Sequence, residues 1–191
     1  MHDHAACPPD RAQRLNDPHR LETQISEQEL AHLLDLDGHE DVLDLGSGTG
    51  FYTDRVAALT SGTVYALDVQ PEMHDQYRAR GVPTNVKLVL GDITHLALGV
   101  AGVDVAYSIA AWHETAGEMD LPGLMEAMRP EGRLVVIDWR RDADSWEDGP
   151  PKDIRFTGEE VALSLVPHFA SAKAENIGRF MFAVVARRVE G

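Results

Sequence analysis

Cysteine is almost absent from this sequence, and long hydrophobic runs are absent altogether. The single cysteine, Cys7, excludes an internal disulfide and makes the cytoplasm the expected compartment. No segment approaches the roughly 18 consecutive apolar residues of a membrane span, so we expect no membrane insertion. The first residues, MHDHAACPPDR, contain no apolar stretch of the kind found in secretory signals. A globular protein with one main domain is the expected class for 191 residues with 43% hydrophobic content.

Basic residues are also scarce. The chain has 17 lysines and arginines against 32 acids, a net charge of −15, and its only lysines are Lys87, Lys152 and Lys173. Such a charge repels phosphate backbones, so we expect no nucleic-acid partner. The acids are spread along the whole chain, as on surfaces adapted to high salt, and they predict a halophilic protein. An ordinary acidic protein is the alternative.

Short strands and helices alternate along the sequence. Apolar runs predict strands at 41–45, 63–69, 86–92, 103–109, 133–139 and 179–188. Helical periodicity and capping signals predict helices at 25–36, 51–60, 71–80, 121–129 and within 157–169. This spacing predicts an α/β fold with a doubly wound, mainly parallel sheet. We expect residues 1–24 to form a flexible N-terminal segment and residues 25–191 to form the domain.

Three alternating glycines, Gly46, Gly48 and Gly50, follow the first predicted strand in the stretch VLDLGSGTGFYT. Ligands of open α/β sheets bind beyond the carboxyl ends of the strands, and glycine lets a ligand lie against the backbone. Two ligand classes compete for such a loop: a dinucleotide with a pyrophosphate, and an adenosine-bearing molecule without one. The dinucleotide fingerprint requires glycine at its sixth position, where this chain has Phe51.

Carboxylates at the ends of the first three strands favour the second ligand class. Asp44 lies just before the loop, where it would repel a pyrophosphate and attract a sulfonium or an ammonium group. Asp68 ends the second strand, where a carboxylate can accept both ribose hydroxyls. Asp92 ends the third strand within reach of an adenine amino group, and Ile93 is placed to pack on the ring. Together these residues predict a cationic adenosine ligand, S-adenosylmethionine.

In this combination the sequence resembles the class I S-adenosylmethionine-dependent methyltransferases. VLDLGSGTG is similar to their first motif, ALDV to their second, VLGD to their third, and LMEAMRPEGRLVVIDW to their fifth-strand segment with its preceding helix. The resemblance covers about residues 40–140. It implies a Rossmann-like sheet of seven strands with the last strand antiparallel, and an enzyme that transfers a methyl group from S-adenosylmethionine.

The resemblance also implies roles for residues of the first motif. Asp44 has an electrostatic role near the methionine end of the cofactor and the loop. Gly46 and Gly48 allow close approach to the methionine and the ribose, and Ser47 between them belongs to the same predicted cofactor-binding set.

The later motifs supply the rest of the predicted cofactor site. Asp68 and Val69 hold and cover the ribose and the adenine, while Asp92 and Ile93 meet the base. Ser108, in the fourth strand, completes the predicted cofactor-binding set.

The fourth strand ends in YSIAAWHETAGE, residues 107–118, where the methyl acceptor is expected. Methyltransferases that act on amines of DNA bases or on glutamine usually carry Asn/Asp-Pro-Pro-aromatic here, and this chain does not. His113 titrates in the range that suits a catalytic base, and Glu114 is placed to orient it. The alternative is a histidine that hydrogen-bonds a loop and a glutamate that faces water.

The WHE segment after the fourth strand and DGPPKDIR before a late helix resemble small-molecule methyltransferases of the quinone-biosynthesis, UbiE-like type. The expected partner is therefore a small-molecule acceptor. Residues 14–24 are a candidate lid that keeps water out, and a helix merely packed on the sheet is the alternative. Two other classes stay open. One is a non-catalytic S-adenosylmethionine-binding or regulatory module with the same fold. The other is a nicotinamide-dependent oxidoreductase, which Phe51 and Asp44 disfavour.

His2, His4 and Cys7 lie close together in the sequence, but we predict no metal site, because a loose N-terminus explains them as well. The sequence does not predict the acceptor, the atom that is methylated, or the oligomeric state.

Overall fold

Seven strands form one sheet in the computed structural model, which describes residues 14–99, 101–143 and 149–188. The strands are β1 Val42–Leu45, β2 Val64–Asp68, β3 Val86–Leu90, β4 Val103–Ile109, β5 Met128–Trp139, β6 Ser171–Ile177 and β7 Met181–Arg187. Their order is β3-β2-β1-β4-β5-β7-β6. The pairs from β3 to β5 are parallel, whereas β7 is antiparallel to β5 and to β6. The predicted seven-stranded, Rossmann-like sheet with an antiparallel last strand is confirmed.

Six α-helices accompany the sheet within these ranges: α1 Arg20–Thr23, α2 Glu27–Leu34, α3 Phe51–Ala57, α4 Pro71–Arg80, α5 Leu121–Ala127 and α6 Gly158–Leu165. Two of them begin with the predicted capping box. The Ser26 hydroxyl accepts a hydrogen bond from the Glu29 N–H at 3.2 Å, and Thr157 does the same for Glu160 at 3.2 Å. These caps satisfy backbone donors that the first turn of a helix leaves unpaired.

Successive residues of the central strands pack on opposite faces of the sheet. Val42 belongs to a buried cluster that includes residues of α2, α3 and α4. Its neighbour Leu43 belongs to a second cluster, which includes residues of α5 and α6. Because both faces are covered, all four residues of β1 are buried, and its sequence is continuously apolar except for Asp44.

The strand β6 was missed by the reading of residue patterns and was implied only by the family resemblance. It lies at the edge of the sheet and pairs only with β7. Its sequence SAKAENI leaves most side chains exposed or half-buried, including Lys173 and Glu175. An edge strand with few buried positions has little hydrophobic alternation, which explains why the pattern did not reveal it.

The boundary between α5 and β5 also differs from the prediction. We expected a helix over 121–129 that Pro130 ends, but α5 ends at Ala127 and Pro130 lies within β5. Pairing of β4 with β5 passes from Met128 directly to Arg133, so Pro130 falls in an irregular stretch between them. A proline is tolerated there because no ladder partner requires its missing N–H.

None of the helices in the described ranges is long and apolar enough to cross a membrane. His2, His4 and Cys7 lie outside the described residues. Within those residues no group of three or more histidine, cysteine, aspartate or glutamate side chains could hold a metal ion.

Candidate active site

A cavity of about 580 Å³ opens at the carboxyl ends of the parallel strands. Asp68, Ile109 and Trp139, at the ends of β2, β4 and β5, form part of its wall. Most of the predicted site residues also line it: Gly46, Ser47, Gly48, Asp68, Val69, Asp92, Ile93, His113 and Glu114. Asp44 and Ser108 are absent from the lining. The strand-end position agrees with the general rule for ligand sites in open α/β sheets.

The glycine loop is held against the end of β2 by its backbone. The N–H groups of Gly46 and Ser47 both donate to the Leu67 carbonyl, at 2.9 and 2.8 Å. Gly46 has φ +89°, and a Cβ atom there would lie 2.8 Å from the Cβ of Ala111. The backbone can therefore take this path only with glycine, and it presents bare peptide to the cavity.

Asp68, the last residue of β2, is fixed by hydrogen bonds from two backbone N–H groups. Its Oδ2 accepts from the Gly48 N–H at 2.7 Å, and its Oδ1 accepts from the Gln70 N–H at 2.9 Å. The residue is only 8% exposed, and burial raises its pKa although both hydrogen bonds lower it. A carboxylate held in this way is preorganised to accept hydroxyl donors from a ligand in the cavity.

The third strand contributes a turn and an apolar surface. Asp92 Oδ1 accepts from the N–H and the hydroxyl of Thr94, both at 2.8 Å, which fixes the 92–94 turn beside the cavity. Val69, after β2, is 53% exposed although it lines the cavity, as Ile93 does. Apolar side chains at such a mouth offer a surface on which a flat ring can pack.

Asp44 lies behind the glycine loop, where it has no direct access to the cavity. It is 3% exposed, and its Oδ2 accepts hydrogen bonds from the hydroxyls of Thr53 and Tyr107, each at 2.6 Å. Burial raises the pKa of Asp44 to about 6, against the lowering effect of these two bonds. Any influence on a ligand would act through space or through the loop that Asp44 supports.

Ser108 is completely buried within β4, pairs in register with Val136, and does not line the cavity. Its hydroxyl has no hydrogen-bond partner among the described residues. The structure therefore gives no route for direct contact between Ser108 and a cofactor. The next residue of β4, Ile109, does line the cavity.

His113 is paired with a carboxylate that the sequence analysis did not select. Its Nδ1 lies 2.8 Å from Asp138 Oδ1, and its backbone N–H donates to Asp138 Oδ2 at 3.0 Å. The two side chains are 9% and 2% exposed. The expectation that Glu114 orients His113 needs correction: no hydrogen bond joins Glu114 to His113 within the described residues, and Asp138 holds the ring. The sequence feature that could have indicated Asp138 is the presence of an acidic residue within the apolar run RLVVIDW.

Both titratable groups of the WHE segment are shifted. Burial lowers the pKa of His113, but the charge and hydrogen bond of Asp138 outweigh it, so the pKa is raised overall. Burial raises the pKa of Glu114 to about 7; His113 opposes this shift, and the charges of Asp138 and Asp68 add to it. Paired groups with perturbed pKa values in a cavity are typical of sites where protons move.

A further part of the cavity lining comes from β5 and the loop after it: Trp139, Gly149, Pro150 and Pro151. Arg155, only 2% exposed, donates from Nε and Nη2 to the Pro150 carbonyl at 2.8 and 2.6 Å. Its guanidinium also lies 5.6 Å from the centre of the Trp139 ring. This buried arginine fixes an apolar wall, and the sequence analysis had assigned it no function.

These features fit S-adenosylmethionine. Bare peptide at Gly46 and Gly48 allows close approach, Asp68 offers a fixed acceptor for ribose hydroxyls, and Val69 offers an apolar surface for a base. Carboxyl groups in the wall attract a sulfonium cation.

Comparison with known proteins agrees with this geometry. Residues 42–132 match the methyltransferase domain family. An uncharacterized methyltransferase of Mycobacterium tuberculosis is 38% identical over 137 residues, covering 66% of this chain and 55% of the relative. A protein-L-isoaspartate O-methyltransferase of Archaeoglobus fulgidus is 30% identical over 115 residues, covering 56% of this chain and 49% of the relative. The chain thus spans about half the length of these relatives.

A solved structure extends the match to almost the whole chain. The crystal structure of a SAM-dependent methyltransferase from Aquifex aeolicus superposes with a TM-score of 0.82 at 27% identity, covering 96% of this chain and 100% of that chain. Fold, glycine loop, cavity wall and sequence similarity lead to one conclusion: this chain contains a methyltransferase domain of the class I S-adenosylmethionine-dependent type, and these findings support S-adenosylmethionine as its cofactor.

Proposed function

We propose that the protein transfers a methyl group from S-adenosylmethionine to a small-molecule acceptor, and that His113 takes up the acceptor's proton. The observation that carries this proposal is the buried pair of His113 and Asp138 at the cavity wall, joined at 2.8 Å. A carboxylate that fixes one ring nitrogen of a histidine leaves the other nitrogen available for proton transfer.

S-adenosylmethionine supplies an electrophilic methyl group on a sulfonium. His113 contributes by its tautomer: Nδ1–H donates to Asp138, so Nε2 carries the lone pair. Within the described residues no hydrogen bond uses Nε2. As the acceptor's nucleophilic atom would form its bond to the methyl carbon, the bond from that carbon to the sulfonium would break and S-adenosylhomocysteine would leave. The acceptor's proton would pass to Nε2, and Asp138 would stabilise the resulting imidazolium. The rest of the wall positions the acceptor in line with the methyl group.

The charge and polarity of the wall support a neutral, partly apolar acceptor with an acidic O–H, S–H or C–H group. Asp68, Asp92 and Glu114 would repel an acceptor that arrives as an anion. Trp139, Pro150 and Pro151 offer an apolar surface in the same cavity. An acceptor of this kind loses its proton during transfer, which is the step that a histidine base assists.

The test is a transfer assay with S-adenosylmethionine labelled in its methyl group. Small metabolites are first screened with the wild-type protein, and the acceptor found is then used with His113→Gln. We expect the substitution to lower kcat by about 10²- to 10⁴-fold, the usual contribution of a general base. Affinity for S-adenosylhomocysteine should change by less than about threefold, because binding does not require the base. Full turnover by His113→Gln would refute the assigned role, and methylation of macromolecules alone would refute the acceptor class.

A further inference from the structure

The N-terminal segment, residues 14–24, forms the cavity wall next to the glycine loop. Leu15 and Arg20 from this segment line the cavity. The segment is attached to the loop by a side-chain hydrogen bond, in which the Thr49 hydroxyl donates to Asn16 Oδ1 at 2.8 Å. It lies outside residues 42–132, the part of the chain that matches the methyltransferase domain family.

The guanidinium of Arg20 is held in one place by several contacts. Nη1 donates to the Leu15 carbonyl at 2.6 Å, and Nε donates to Gln24 Oε1 at 3.0 Å. Its central carbon lies 5.1 Å from the centre of the Phe51 ring and 4.8 Å from that of Tyr52. A guanidinium fixed in this way can bind a partner with little further loss of side-chain entropy.

Arg20 is the only lysine or arginine among the described residues that line the cavity. The same wall contains the carboxyl groups of Asp68, Asp92 and Glu114. An anionic group on a ligand is therefore repelled by most of the wall and attracted by one part of it, the part next to the glycine loop.

S-adenosylmethionine carries one such anionic group, the carboxylate of its methionine moiety. The planar guanidinium fork matches a carboxylate, with which it can form two parallel charge-assisted hydrogen bonds. We propose that Arg20 binds the methionine carboxylate of S-adenosylmethionine and thereby joins residues 14–24 to the bound cofactor. This inference rests on the proposed use of the cofactor, but it does not depend on any acceptor.

Calorimetric titration with two probes tests the inference: S-adenosylmethionine, and decarboxylated S-adenosylmethionine, which keeps the sulfonium and the amine. We expect Arg20→Met to weaken binding of the first probe about tenfold or more and to leave the second unchanged or slightly tighter. Arg20→Lys should lose about threefold in affinity for S-adenosylmethionine only, because lysine keeps the positive charge but lacks the planar guanidinium.

Arg55→Met is the matched control. The Arg55 guanidinium lies 4.0 Å from the centre of the same Phe51 ring and pairs with Glu27, but Arg55 does not line the cavity. We expect this variant to bind both probes within about twofold of the wild type. A second readout is hydrogen exchange in the wild type, where residues 14–24 should gain more protection with S-adenosylmethionine than with the decarboxylated probe.

The outcomes separate the two proposals. If the wild type binds neither probe, the proposed function fails. The wild type binds the two probes with a certain ratio of affinities. If Arg20→Met and Arg20→Lys show the same ratio as the wild type, the Arg20 inference alone is wrong. Circular dichroism checks that the variants fold, and if Arg20→Met does not fold, the decision rests on Arg20→Lys and on hydrogen exchange.

Discussion

His113 and Asp138 are joined at 2.8 Å beside the cavity, and their pairing has a pH signature. The charge and hydrogen bond of Asp138 raise the pKa of His113 despite burial, which lowers it. Only the deprotonated ring acts as a base, so the rate should fall as pH falls through this pKa. Because the folded-state pKa is raised, the pair stabilises the fold below pH 6.5, and this contribution is lost as pH rises through the folded pKa.

Asp138→Asn should move the acidic limb of the pH–rate profile to lower pH, because the amide no longer stabilises the imidazolium. We also expect kcat to fall by at least about tenfold, since an amide can donate to Nδ1 and favour the wrong tautomer. The measurement is kcat/KM against pH with the acceptor found by screening. Asp75→Asn is the control, because Asp75 forms an exposed ion pair with Arg78 on α4, and exposed pairs contribute little to stability. A profile identical to that of the wild type would contradict the assigned role of Asp138.

The residues that the sequence analysis placed in the cavity are those whose position depends on local structure. The glycine loop and Asp68 follow directly from a strand that ends and a turn that begins. The pairing of His113 with Asp138 was missed because 25 positions separate the two residues and only the register of β4 with β5 brings them together. Likewise, the burial of Asp44 depends on Tyr107, its partner in the register of β1 with β4.

At the scale of elements, the glycine loop is joined to α4 by close packing. Gly50 has φ +83°, and a Cβ atom there would lie 2.2 Å from the Tyr77 ring. The Tyr77 hydroxyl donates to Asp54 Oδ1 at 2.6 Å, so the ring cannot move without breaking that bond. The last glycine of the loop therefore determines how α3 and α4 pack.

Gly50→Ala should lower the free energy of unfolding by about 2 to 4 kcal/mol, because overpacking adds to the cost of a positive φ. Gly178→Ala is the control: it also has a positive φ, +50°, and a Cβ atom there would meet nothing within 4 Å. In the control variant the free energy of unfolding should fall by only about 1 kcal/mol. Urea unfolding of both variants gives the comparison, and equal losses would show that contact with Tyr77 is unimportant.

Prediction of the elements was most accurate for a helix that begins with a proline and for a strand that is almost wholly buried. The helix 71–80 and the strand 103–109 agree with α4 and β4 at both ends. Within the sheet, the exceptions are β6, whose side chains mostly face solvent, and the start of β5, where Pro130 is accommodated by an irregular pairing. Both exceptions depend on which neighbour a segment has in the sheet, and a single sequence does not contain that information.

At the scale of the whole molecule, the net charge of −15 sets how the fold responds to salt. Excess negative charge destabilises a compact state by self-repulsion, and salt screens this repulsion. We expect the melting temperature to rise by several degrees or more between about 0.1 M and 2 M potassium chloride. Differential scanning fluorimetry measures the shift, and a melting temperature that stays constant or falls would exclude adaptation to high salt.

The cavity itself is a property of the whole chain, because its wall combines residues as far apart as Leu15 and Pro151. The strand ends supply the cofactor side, the loop after β5 supplies the apolar side, and the N-terminal segment completes the wall beside the glycines. The account depends on this cavity binding S-adenosylmethionine with Asp68 in direct contact.

Isothermal titration of S-adenosylmethionine into the wild-type protein and into Asp68→Ala tests that claim most directly. We predict one binding site per wild-type chain and a loss of at least about 1.5 kcal/mol of binding free energy in the variant, the scale of lost charge-assisted hydrogen bonds. Absence of binding to the wild type, or equal affinity for the two proteins, would contradict the account.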